Sequence, residues 1–217
     1  EYSKDDKAMN LINTGLQYLN MGVFSEAAKN LDEAVQLNSD IVDSQYLLNI
    51  DYGDSTSIDN LYHAFYEIEE FDSTITSANL FLGLLGLTAN IENKIIINHL
   101  LDYSKSVPND TKSYLLLGDI YFENNDYIDA ISYYMRALLL DNQLQHANLF
   151  MGKSLYNLKY YQDAITKLNQ VVELDPNNFD SKQYLGMSYY YTADYENAIA
   201  ELTNALLIKG NNFNTYY

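Results

Sequence analysis

The sequence predicts an all-α chain of repeated helical hairpins, and three observations carry that expectation. Gly118, Gly152 and Gly186 stand at equal intervals, in the similar frames YLLLGDIYF, NLFMGKSLY and QYLGMSYYY. At one fixed step after each glycine comes a tyrosine (Tyr127, Tyr161, Tyr195), and at a second fixed step an alanine (Ala130, Ala164, Ala198). Each alanine opens an amphipathic run, ISYYMRALLL, ITKLNQVVEL or IAELTNALLI, whose apolar residues recur at helical spacing, while no stretch alternates as a strand would. A small residue on one helix facing a small residue on the next lets two backbones approach closely. Each Gly and Ala pair therefore describes one hairpin.

Taken in order, residues 1–7 form a polar lead-in. The first repeat, 8–41, places Leu11, Gly15, Tyr18, Phe24, Ala27, Leu31 and Ala34 in the repeating frame, with Gly22 at the hairpin turn and FSEAAKNLDEAVQL as its second helix. The second, 42–75, is degenerate: Asn49 replaces the glycine and Leu61 the alanine, although Tyr52 and Phe65 keep their places. Two bulkier residues at the close contact should splay that hairpin. In the third repeat, 76–110, Gly83 lies two full periods after Gly15 but one place more than a period before Gly118, whereas Pro108 lies two full periods before Pro176. An extra residue must therefore fall between Gly83 and Pro108, most simply in a turn near 88–93, after which Ile96, Leu100 and Tyr103 resume the frame. Leu80, Leu84 and Leu87 are expected to pack internally. Three regular repeats follow, 111–144, 145–178 and 179–212, before a tail at 213–217, with 107–111 a junction between repeats and not a domain linker.

A helix-turn-helix period with small residues at these places resembles the tetratricopeptide repeat family, whose units run to about 34 residues. With the glycine counted as position 8, Tyr114, Leu117, Gly118, Tyr121, Ala130, Tyr134 and Ala137 fill the signature of one repeat, and Asn142 stands where proline is usual. Met151, Gly152, Ala164, Leu168, Val171 and Pro176 fit the next, while Asn148 and Leu155 replace its aromatics; Leu185, Gly186, Tyr189, Ala198, Leu202 and Ala205 fit the last. The resemblance implies an α-solenoid, a right-handed superhelix of about six hairpins. It implies a fold before any function.

Charge and composition narrow the function classes. The net charge is −18 and the sequence pI near 4.2. That argues against nucleic acid, whose binding relies on Lys and Arg neutralising phosphates, and against adsorption to anionic lipid. The absence of cysteine removes disulfides, thiolate nucleophiles and cysteine metal sites. No apolar run reaches the roughly 18 to 20 residues needed to span a bilayer, so no direct membrane insertion is expected. His63, His99 and His146 fall in different repeats, and HExxH, the calcium-loop spacing, GxSxG and glycine-rich phosphate loops are absent. The expectation is a non-catalytic protein with no metal and no cofactor. The start at Glu1 suggests an excised or processed fragment, leaving the compartment open between cytoplasm and a cell envelope reached with a removed signal. Asn109-Asp110-Thr111 matches a glycosylation acceptor, a pattern too short to place the protein.

The resemblance also implies a ligand surface, a concave groove lined by the first helix of each repeat at positions 2, 5, 9, 12 and 13. On that basis the partner-binding residues are Ile12, Leu16, Tyr46, Leu115, Asp119, Phe122, Leu149, Lys153, Tyr156, Gln183, Met187 and Tyr190. An apolar, aromatic lining rimmed by Asp43, Asp54, Asp119, Glu123 and Asp180 suits an amphipathic, basic peptide or partner helix. Only Lys112 and Lys153 offer cations there, which departs from the clamp that some members use for the carboxylate of chaperone tails. The expected function is a protein-interaction scaffold. The alternatives are a self-associating assembly subunit, for instance in a cell envelope, or the regulatory repeat region of a larger protein. The last helix still presents Ile199, Leu202 and Leu206 with no capping helix after it, so this end is expected to continue into more chain or to form a homodimer.

Overall fold

A computed structural model of the chain describes residues 3–21, 23–37, 66, 76–88 and 91–214. Ten helices and no strand occur among the described residues: α1 (Lys4–Asn20), α2 (Phe24–Leu37), α3 (Thr76–Thr88), α4 (Asn93–Ser106), α5 (Thr111–Glu123), α6 (Tyr127–Leu140), α7 (Gln145–Asn157), α8 (Tyr161–Leu174), α9 (Phe179–Tyr191) and α10 (Tyr195–Asn214). All but Tyr66 of the expected degenerate repeat, with Asp43, Tyr46, Asp54 and His63, lies outside the described residues, as does the turn residue Gly22. The chain folds as two compact units, Glu1–Ser113 and Tyr114–Tyr217.

In the first unit α1 packs on α2 and α3 on α4. Ala8, Ile12 and Leu16 of α1 are buried with Ala27, Ala28, Leu31 and Ala34 of α2. A helix that is apolar on every side must be buried, and Leu80, Phe81, Leu82 and Leu84 of α3 all are. Gly15 faces Leu31 and Gly83 faces Leu100, and the second pair is one place wider than the first. The extra residue thus falls between Gly83 and Leu100. His99 Nδ1 lies 2.9 Å from Asn79 Oδ1, joining α3 to α4 by a hydrogen bond inside the core.

The second unit repeats one hairpin three times. Each turn closes with the same backbone bond: the amides of Asp126, Tyr160 and Asp194 donate to the carbonyls of Tyr121, Leu155 and Tyr189, each at 2.9 Å. Val23 and Tyr18 make the same 2.9 Å bond in the first unit. These turns need one left-handed residue, found at Asn125, Lys159 and Ala193 with φ of 65°, 68° and 63°. Asparagine tolerates that conformation; lysine and alanine occupy it at a cost of roughly 1–2 kcal/mol each. Within each hairpin the glycine of the first helix meets the residue at one fixed step along the second, Tyr134, Leu168 or Leu202. Ala130, Tyr134, Met151, Ala164, Leu168 and Leu185 form one continuous core. This packing sets α5, α7 and α9 side by side, with their remaining residues free to build a face.

Candidate ligand-binding face

The face of α5, α7 and α9 is knitted by contacts that repeat with the fold. Position 9 of one first helix reaches position 2 of the next. Asp119 Oδ1 lies 2.7 Å from His146 Nε2 and also accepts a 2.7 Å hydrogen bond from the buried Tyr134 hydroxyl. At the next step the Lys153 ammonium pairs with the Asp180 carboxylate. Lys153 is itself buried, with its Nζ 4.7 Å from the Phe150 ring centre and 5.4 Å from that of Tyr184. Cation–π attraction and the carboxylate together satisfy this charge. Lys153 braces the face and offers no free cation to a ligand.

Position 12 builds an aromatic lattice on the same geometry. Phe122 meets Phe150 edge-on at 5.0 Å and 90°, and Tyr156 meets Tyr184 at 5.2 Å and 88°, two pairs of identical spacing along the chain. Phe122, Tyr156 and Tyr190 also meet the first tyrosine of their own second helix, Tyr127, Tyr161 and Tyr195, at 5.7, 5.6 and 5.8 Å. Such edge-to-face rings add about 0.5–1.5 kcal/mol beyond area burial. Tyr161 stacks on Tyr191 at 4.6 Å, and the Tyr156 hydroxyl donates weakly to Met187 Sδ at 3.7 Å. Burial pushes the Tyr156 phenol upward, aided by Tyr191; burial and then Asp180 do the same for Tyr184. Both phenols are therefore neutral hydrogen-bond donors near neutral pH.

Of the residues expected to bind a partner, the second unit brings Asp119, Phe122, Lys153, Tyr156 and Met187 into this connected lattice. Leu115, Leu149 and Gln183 are partly buried, and Tyr190 is the most open at 58%. Tyr46 lies outside the described residues. Ile12 and Leu16 are 0% and 2% exposed; a side chain without accessible surface gives a ligand nothing, so their role is packing. Sequence reasoning passed over Phe150 and Tyr184, because position 6 is not a groove position in the family pattern. Phe150 stands to Phe122 as Tyr184 stands to Tyr156, and that equal spacing was the available signal. His146, which the sequence placed only as one of three histidines in different repeats, is the partner of Asp119. Among the described residues, no group of three His, Cys, Asp or Glu could hold a metal ion, and no helix is long and apolar enough to cross a membrane.

The family model described as anaphase-promoting complex, cyclosome, subunit 3 matches residues 90–171, under half of the chain. No curated protein matches the sequence. Among solved structures, MamA is similar with a TM-score of 0.68 at 19% identity, over 76% of this chain and 98% of its own. A second MamA structure covers 94% of this chain and 92% of its own at 16% identity, with a TM-score of 0.65. YrrB, described as a TPR protein with an unusual peptide-binding site, aligns over 84% of this chain and 94% of its own at 18% identity and a TM-score of 0.67. With its glycines, turns and helix pairs recurring in the same register, and with the fold it shares with these structures, the chain has the all-α tetratricopeptide-repeat fold.

Proposed function

We propose that the protein is a non-catalytic interaction scaffold, and that the face of α5, α7 and α9 takes an amphipathic, basic peptide or partner helix. The observation that carries this reading is the edge of the aromatic lattice, where Tyr190, Tyr191 and Tyr195 touch ring to ring yet remain 58%, 55% and 58% exposed. Exposed aromatics held rigid by their neighbours lose little side-chain entropy on binding, which suits them as anchors. Elsewhere on α9 and α5, Asp180, its side chain 46% exposed, and the exposed Glu123 supply acidic groups. The similarity in fold to YrrB, described as peptide-binding, agrees with this use of the face. The test is affinity capture with the chain beside its Tyr190→Ala, Tyr191→Ala double variant. A protein retained by the first and lost by the second, with helical circular dichroism unchanged, supports the reading; equal retention by both removes it.

A second reading, self-assembly through α10, has its own support. Ile165 and Val172 of α8 are covered beneath the following hairpin, whereas Ile199 and Leu206, their counterparts one repeat later on α10, are 68% and 69% exposed. Sedimentation over a hundredfold concentration range, with Ile199→Asp alongside, decides it. A concentration-independent monomer excludes this assembly.

A further inference from the structure

A cleft of about 350 Å³ opens between α6, α7 and α8, lined by Met135, Leu138, Leu139, Asn148, Met151 and Lys167 among others. It shares no residue with the aromatic face. Its origin is legible in the repeat. Position 4 of the preceding hairpin holds Tyr114, which buries its ring, whereas the same position here is Asn148. The exchange removes a ring's volume and leaves a short amide in its place. A second feature comes from α6 of the preceding hairpin. The rim residues Met135 and Leu139 are apolar and exposed, and their counterparts one repeat later are the polar Asn169 and Glu173.

The amide is also incompletely satisfied. Asn148 Nδ2 donates to the carbonyls of Asn142 and Leu144 at 3.4 and 3.3 Å, which orients the side chain. Its Oδ1 then has no partner, although the residue is 1% exposed. A buried acceptor without a donor costs free energy that a ligand donor would recover. Lys167 and Gln170, which line the same cleft, are joined by a long 3.4 Å hydrogen bond between their side chains.

We infer that this cleft is a binding site for a phenol ring, which replaces the aromatic missing from position 4, packs on Leu138, Met151 and the Met135–Leu139 rim, and donates its hydroxyl to Asn148 Oδ1. Apolar walls with one convergent polar atom are the usual make-up of a small-ligand pocket. The ring belongs either to a free phenolic compound or to a tyrosyl side chain of a partner.

The experiment is a titration of the whole chain with p-cresol, read by amide and methionine-methyl NMR. The expected result is saturable shifts at Met135, Asn148 and Met151, with toluene, which lacks the donor, binding roughly three- to tenfold more weakly. Asn148→Tyr should fill the cleft with its own ring, abolish the shifts and raise Tm. Leu139→Glu, at a residue 83% exposed, should weaken p-cresol binding without unfolding the chain, which keeps the test decisive if the tyrosine variant misfolds. N-acetyl-tyrosinamide separates the two sources: binding by it assigns the site to a tyrosyl side chain, and binding by p-cresol alone assigns it to free phenols. No saturable shift with either phenol, or equal affinity for p-cresol and toluene, overturns the inference.

Discussion

Replacing glycine by alanine inside a helix ordinarily stabilises by about 1 kcal/mol, because the unfolded chain loses freedom and the helix gains a better former. Of three glycines in the second unit, two should depart from that rule to different degrees and one should follow it. A Cβ on Gly118 would stand 2.5, 2.7 and 2.9 Å from Cε1, Cδ1 and Cζ of Tyr134, against an ordinary contact of 3.4 Å or more. The ring is fully buried and rigid, and its hydroxyl is bonded to Asp119 at 2.7 Å. It can retreat only by straining that hydrogen bond to a charged group, worth about 1.5–3 kcal/mol, on top of an overpacking cost of about 1–3 kcal/mol. Gly118→Ala should therefore destabilise by about 2 kcal/mol or more after the helix gain is subtracted. On Gly152 the Cβ meets only the branched end of Leu168, at 2.7 and 2.8 Å, and no hydrogen bond is at stake. Gly152→Ala should cost about 0–2 kcal/mol by the same subtraction. Gly210, in α10, has nothing within 4 Å of its Cβ position, so Gly210→Ala should stabilise by up to about 1 kcal/mol. Urea denaturation at one pH, with the slope checked for constancy, measures all three. Equal effects at the three sites, or a stabilised Gly118→Ala, would refute the pairing of glycines with second-helix residues.

Three other outcomes follow from the second unit. Asp180→Ala strands the buried Lys153 ammonium and should cost about 1–3 kcal/mol, moderated by the half-open Asp180 and the two rings, whereas Lys153→Met combined with Asp180→Ala should recover most of it in the same denaturation assay. The Tyr134 phenol is pushed far above its ordinary value by burial, and further by the Asp119 carboxylate. A raised folded pKa leaves stability intact below the ordinary phenol range and erodes it above, because the unfolded phenol then ionises while the folded one does not, at about 1.4 kcal/mol per pH unit for this residue. Tyr134→Phe should flatten that alkaline decline in a pH series of urea midpoints, and an unchanged slope would contradict the assigned burial. Ala164 is completely buried, so Ala164→Phe should destabilise by about 1–3 kcal/mol in thermal melts; a Tm like the parent's would contradict the register.

What could be read from the chain itself was whatever depends on a fixed distance along one hairpin. Gly118, Gly152 and Gly186 face residues at one constant step, inside the same helix pair, so a periodic sequence carries the pairing directly. The all-α fold and the small residues at each close contact were legible for that reason. The candidate face was legible only in part. Its ring and charge pairs join different hairpins, and a list of family positions does not say which neighbours meet or which charges are already spent, as Lys153 is on Asp180. The sequence also named Ile12 and Leu16 as lining residues, and burial gave them to the core. It noted Asn148 only as a departure from pattern. The sequence by itself thus determined the repeating hairpin, because a local period dictates local contacts. Only the tertiary structure decided which tyrosines stay open, which charges are neutralised and where a missing ring leaves a cleft, because burial is set by everything that packs around a residue and not by its place in the repeat.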